Sequence, residues 1–179
     1  MTTLDQLFGA RTAMIVPDAV AAIDAARLRT RFETIGYRRY ALVDRGSYDV
    51  IENVAAEVPA LVVERAAKLV GRPLEIEHAR VIRLIAGDYV FAHHDRFHEG
   101  HPVELMLDLS SAIVPDAEVH YRRRGQVFFR FGSQPGAVSI VERGPTVACN
   151  HSYVSKRHDD ASIVRLIVLL RDRAQAITL

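Results

Sequence analysis

The sequence predicts a mainly β domain with N-terminal helices, and three observations carry that prediction. From residue 74 onward, short β-type runs alternate with turns marked by Gly and Pro, about eight runs at 8–12-residue spacing. Ahead of them lie two stretches whose apolar residues recur at helical spacing. The chain has 179 residues, 49% of them hydrophobic, which is enough for one core and too little for two. A single domain over residues 1–179 follows, mostly helical over 1–73 and all β over 74–179, the β part closing as a sandwich or barrel of which a jelly roll is one form.

Taken in order, Pro17 and Asp18 start a first helix, and Val20, Ile23, Leu28, Phe32 and Ile35 continue it to Gly36. A second helix is expected over Val54–Val70, with Gly71 past its end; Pro59 suits a first turn, which moves the start toward Val58. Strands are expected at Leu74–Ala86, Val90–His94, Glu104–Leu109, Glu118–Arg122, Gln126–Phe131, Ala137–Glu142, Thr146–Cys149 and Ile163–Leu170. Gly87, Pro102, Pro115, Gly125, Pro135-Gly136 and Gly144-Pro145 punctuate them, together with the polar stretch Ser155–Asp160.

Composition narrows the function classes. A formal net charge of +1 gives no field suited to nucleic acid or to an anionic membrane. Lys68 and Lys156 are the only lysines; the other basic residues are arginines, whose forked donors suit carboxylates. Cys149 is the only cysteine, so no intrachain disulfide forms and a reducing compartment is expected. Residues 1–10 lack the pattern of a signal peptide, and Ile163–Leu170 is too short and too interrupted to span a bilayer. The expectation is a cytoplasmic protein with a small-molecule partner, whose self-association stays open.

The chemistry concentrates around His93-His94-Asp95. In an extended segment His93 and Asp95 project from one face and His94 from the other. An imidazole and a carboxylate side by side are two arms of the facial triad that holds non-haem iron(II). His151, after the strand expected at Thr146–Cys149, is the candidate third arm, with His158 as its rival. Arg165 lies in the middle of an apolar strand, where a guanidinium is costly unless an anion pairs with it. A carboxylate held bidentately would satisfy it, supplied by the protein or by a dicarboxylate cosubstrate.

Over Arg83 to Arg171 the sequence resembles the iron(II)- and 2-oxoglutarate-dependent dioxygenases, whose core is a double-stranded β-helix, a cupin-like jelly roll. The likeness rests on Gly87-Asp88-Tyr89 shortly before His93-His94-Asp95, on Leu107-Asp108-Leu109-Ser110, on Pro135-Gly136-Ala137-Val138, and on His151 ahead of a last strand bearing Arg165. By that resemblance His93, Asp95 and His151 bind iron(II), and Arg165 holds the far carboxylate of 2-oxoglutarate. Molecular oxygen takes the remaining position, and the enzyme is an oxidoreductase that hydroxylates a small metabolite such as an amino acid or a natural-product precursor. Asp95 completes the triad, where halogenating members carry a small residue. Two departures stand out. His151 and Arg165 are 14 positions apart, longer than in the prolyl-hydroxylase-like branch, and the serine that many members place two positions after the arginine is missing. Tyr89 or Tyr121 is the candidate to replace that hydroxyl.

Plainer readings exist for each residue. A His-x-Asp triplet by itself is commonly a surface loop. His94, His98 and His101 read as residues lining a mouth rather than a second metal site, and Arg122-Arg123-Arg124-Gly125 reads as a charged hairpin. Cys149 reads as a packed thiol. Two rival functions remain: a cupin-like metal enzyme that does not use 2-oxoglutarate, and a non-catalytic β-fold binding module.

Overall fold

The computed structural model describes residues 13–55, 57–71, 73–93, 103–143, 146–158 and 160–173, with backbone alone at 57–59, 61, 65 and 93. Its elements run β1 (Ala13–Val16), α1 (Ala22–Ile35), β2 (Arg38–Leu42), β3 (Gly46–Ile51), α2 (Glu57–Val70), β4 (Leu74–Ile85), β5 (Tyr89–His93), β6 (Val103–Asp108), β7 (Val119–Arg123), β8 (Gln126–Phe131), β9 (Val138–Glu142), β10 (Val147–His151) and β11 (Ser162–Asp172). All strand pairs are antiparallel and join in the order β1-β9-β6-β11-β4-β3-β5-β10-β7-β8, with β2 on β3.

The apolar run around Arg165 explains the architecture. Residues 163–170 of β11 are all buried, and the strand lies between β4 and β6. Successive side chains of a strand point to opposite faces, so this strand feeds two cores. Val164, Leu166, Val168 and Leu170 join Phe32 of α1 and Val62, Val63 and Ala66 of α2 in a cluster beneath the helices. Ile163, Ile167 and Leu169 join Tyr121, Phe131, Val147 and Cys149 in a second cluster enclosed by the sheet. Strand β6 behaves alike: Val103, Leu105 and Leu107 face the helices, while Met106 faces the enclosed cluster. By the same alternation Glu104, Asp108 and Arg165 lie on the enclosed face. The strands therefore wrap a nearly closed interior with the helices packed on one outer side, a jelly-roll-like arrangement as expected.

The N-terminal part departs from expectation. Besides two helices it contains β1, β2 and β3, none of which the sequence announced. The β2 pattern is exposed at four of its five positions, so it carries no alternating apolar signal. The β2–β3 hairpin docks on β5 at a point of close approach: a Cβ on Gly46 would lie 2.6 Å from the carbonyl oxygen of Tyr89. Among the described residues, no helix is long and apolar enough to cross a membrane.

Candidate active site

The lead-in to the site is built by Asp88. Gly87, at φ +96°, turns the chain between β4 and β5. The buried carboxylate of Asp88 then accepts hydrogen bonds from the backbone N–H of Ile85 (3.0 Å), from the Ser47 hydroxyl (2.9 Å) and from the Arg39 guanidinium. The bond to Asp88 is the main cause that raises the Arg39 pKa above its ordinary value. Asp49 extends the network, accepting from Arg39 and, at 2.7 Å, from Arg83. Charge-assisted bonds of this kind fix where β5 begins.

Strand β5 runs beside β10, with His93 opposite Cys149 and His151 opposite Val90. Phe91 and Ala92 of β5 thus face the single residue Asn150 of β10, a bulge that leaves both of them exposed. His151 lies two residues, about 7 Å, along β10 from the partner of His93, so two of the proposed iron ligands stand on neighbouring strands. The side chain of His93 and all of Asp95, like His94, His98 and His101, lie outside the described residues. Among the described residues no cluster of three or more His, Cys, Asp or Glu side chains could hold a metal ion. His158 lies in the turn before β11, its N–H bonded to the carbonyl of Ser155, and beside a different cleft lined by Ile113 and Arg157.

His151 and Arg165 meet. Both are buried, and a guanidinium nitrogen of Arg165 lies 2.8 Å from Nδ1 of His151. An arginine can only donate, so Nδ1 accepts and the neutral ring carries its proton on Nε2. Arg165 also donates to the carbonyl of Ala117 at 3.0 Å, while its Nε is buried with no hydrogen-bond partner. Asp108 is its cross-strand partner on β6, yet the Asp108 oxygens accept from the N–H groups of Ser110 (2.8 Å) and Gln134 (2.6 Å). Burial pushes the Arg165 pKa down, and the nearby Asp108 charge only opposes that. Among the described residues no carboxylate forms an ion pair with this guanidinium. A buried cation in that condition is fitted to receive an anion.

The two candidate tyrosines border the site: Tyr121 contributes to the field at Arg165, and Tyr89 lines a cleft that His151 shares. The Tyr121 hydroxyl donates to Glu104 at 2.5 Å, and burial beside that carboxylate pushes its pKa well above the usual value. Tyr89 packs its ring on Phe91, 4.7 Å between centroids, at the edge of a cleft of about 730 Å³ that Arg122, Asn150 and Tyr153 also line. The interior held a further group that sequence reasoning missed: Arg143 pairs with Glu104, both almost fully buried, and donates to the carbonyl of Val147 at 3.3 Å. Arg143 precedes Gly144-Pro145 and reads in sequence as part of a turn; only its separation by 39 positions from a carboxylate on another strand gives it meaning.

Solved structures of similar shape bear on the fold. A prolyl-4-hydroxylase from Pseudomonas putida superposes with a TM-score of 0.73 at 13% identity, covering 96% of this chain and 98% of that one. An oxidoreductase of the 2OG-Fe(II) oxygenase family from Burkholderia pseudomallei gives 0.72 at 11%, covering 96% and 93%. The α-ketoglutarate-dependent epimerase SnoN of nogalamycin biosynthesis gives 0.70 at 13%, covering 98% and 84%. The chain has the fold of the 2OG-Fe(II) oxygenases. No family model matches the sequence, and no curated protein does.

Proposed function

We propose that the chain is an iron(II)- and 2-oxoglutarate-dependent oxygenase that hydroxylates a small metabolite. The observation that carries this reading is Arg165: a buried guanidinium with an unpartnered Nε that forms no ion pair among the described residues and lies 2.8 Å from Nδ1 of the buried His151. In this reading His93, Asp95 and His151 hold iron(II), and Arg165 binds the distal carboxylate of 2-oxoglutarate. Tyr121, whose hydroxyl donates to Glu104, and Tyr89, which shares a cleft with His151, are the candidates for the hydroxyl beside that carboxylate. Bound together, the metal and the 2-oxo acid supply oxygen activation and abstraction of hydrogen from the substrate.

The residues of this chain position that chemistry. His151, if it held iron(II) by its other nitrogen, would carry a proton on Nδ1, and the Arg165 guanidinium now bonded there would be free for an incoming carboxylate. Ile163, Ile167 and Leu169 on the enclosed face keep water from that carboxylate and strengthen its pairing.

The test is an anaerobic titration of iron(II)-loaded protein with 2-oxoglutarate, following the visible charge-transfer band of the chelate. The band is expected in the native protein and lost in Arg165→Ala, whose melting temperature is measured alongside. Iron binding without a band transfers the protein to the cupin-like reading; no iron binding removes the enzyme reading. Succinate release that depends on one metabolite, and not on a peptide panel, checks the substrate class.

A further inference from the structure

A second cleft, of about 490 Å³, opens between the β2–β3 hairpin and the bulge of β5. Three arginines and three aromatic rings dominate its wall: Arg38, Arg45, Arg80, Tyr40, Tyr48 and Phe91. The rings of Tyr40 and Tyr48 stack 4.8 Å apart at 30°, and both pack against the apolar cluster enclosed by the sheet. Val90, Phe91 and Ala92 form the side toward β5, so the cleft reaches the residue that precedes His93. This volume lies within the range of small-ligand sites, roughly 300–1,000 Å³.

The charges in the wall are not balanced in place. Its two acidic residues are engaged, Asp44 with Arg45 at 3.7 Å and Glu52 with His78 at 3.4 Å. Arg38 is exposed and makes no ion pair among the described residues. A forked cation beside a stacked pair of tyrosines offers a carboxylate partner and a flat apolar surface in one place. Aliphatic anions would use the first feature and waste the second; neutral rings would do the reverse.

We infer that this cleft binds the substrate's recognition end, and that the substrate is a small aromatic carboxylate whose ring lies against Tyr40 and Tyr48 while its acid group meets Arg38. The assignment rests on the oxygenase reading for the word substrate, but not for the binding itself. Nearness to His93 along β5 would then present the ring's remaining positions to the reacting centre.

Calorimetric titration of the purified protein with 4-hydroxybenzoate tests it, with 4-hydroxybenzamide and cyclohexanecarboxylate as comparison ligands. The acid is expected to bind, with affinity about tenfold or more above either comparison ligand, as the loss of one charge-assisted hydrogen bond or one stacking surface implies. Arg38→Gln and Tyr48→Leu are each expected to weaken the acid by about tenfold, and Arg165→Ala to leave it unchanged. Equal binding of acid and amide overturns the inference, as does no binding at all, or binding that survives Arg38→Gln and vanishes in Arg165→Ala, which would place the anion in the barrel. If the acid behaves as expected while no chelate band forms with 2-oxoglutarate, the cleft stands and the oxygenase reading falls.

Discussion

At the scale of single residues, burial sorts the polar groups into those the fold has satisfied and those it has left open. The ion pair of Glu104 with Arg143 belongs to the first kind, although the Nε of Arg143 makes no hydrogen bond. Removing one partner of a buried ion pair strands the other charge, so Glu104→Gln should cost about 3–5 kcal/mol in urea unfolding, whereas the double change Glu104→Met with Arg143→Leu should cost far less. Tyr37 is a milder case: its hydroxyl is buried without a hydrogen-bond partner, and burial raises its pKa to about 12, against the lowering influence of Arg83. A folded state that holds the proton more tightly than the unfolded one is stabilised below the unfolded pKa near 10 and loses that stabilisation as pH climbs to about 12. Ultraviolet titration should show one tyrosinate appearing near that upper value, and Tyr37→Phe should remove both the step and the decline in stability between those limits. Arg165 is of the open kind, which is why its substitution is assigned to ligand binding above.

At the scale of elements, the site depends on how β5 is held between β3 and β10. Gly46 lets the β2–β3 hairpin close onto Tyr89; in Gly46→Ala the new methyl meets a backbone oxygen that cannot turn away, and a destabilisation of about 1–3 kcal/mol is expected. A fall in melting temperature together with weaker iron binding would check that β5 has shifted; unchanged iron binding would show that the strand is held by Asp88 alone. This hairpin is also where the sequence was least readable. Strands β6 to β11 announce themselves through alternation and turn residues because both of their faces, or one, are buried in a regular pattern. Arg38-Arg39-Tyr40-Ala41-Leu42 presents mostly exposed side chains, and its function as a strand comes from pairing to β3, a partner that no local pattern reveals. The same limit hid Glu104 with Arg143, whereas Arg165 was legible because a charge inside an apolar strand violates a local rule.

At the scale of the whole molecule, stability rests on one strand shared by two cores. Leu166→Ala opens the core under the helices and Ile167→Ala the core enclosed by the sheet, so each should cost about 2–5 kcal/mol despite facing opposite ways. Equal and large losses in urea unfolding are the expected result; a small loss for either would mean that its core can collapse onto the gap. The jelly-roll closure was readable from strand count and spacing, while the order of the strands followed only from which residues pair across long separations.

The central place of β11 has a consequence for how the protein is made. In the direction of synthesis β11 comes well after β4 and β6, yet it pairs with both of them. Until it arrives, those two strands present open edges and bare apolar faces, the condition in which nascent chains pair with the wrong neighbour. Closure between β4 and β6 therefore waits for β11, and the yield of folded protein in the cell depends on what shields those two edges until that strand has been added.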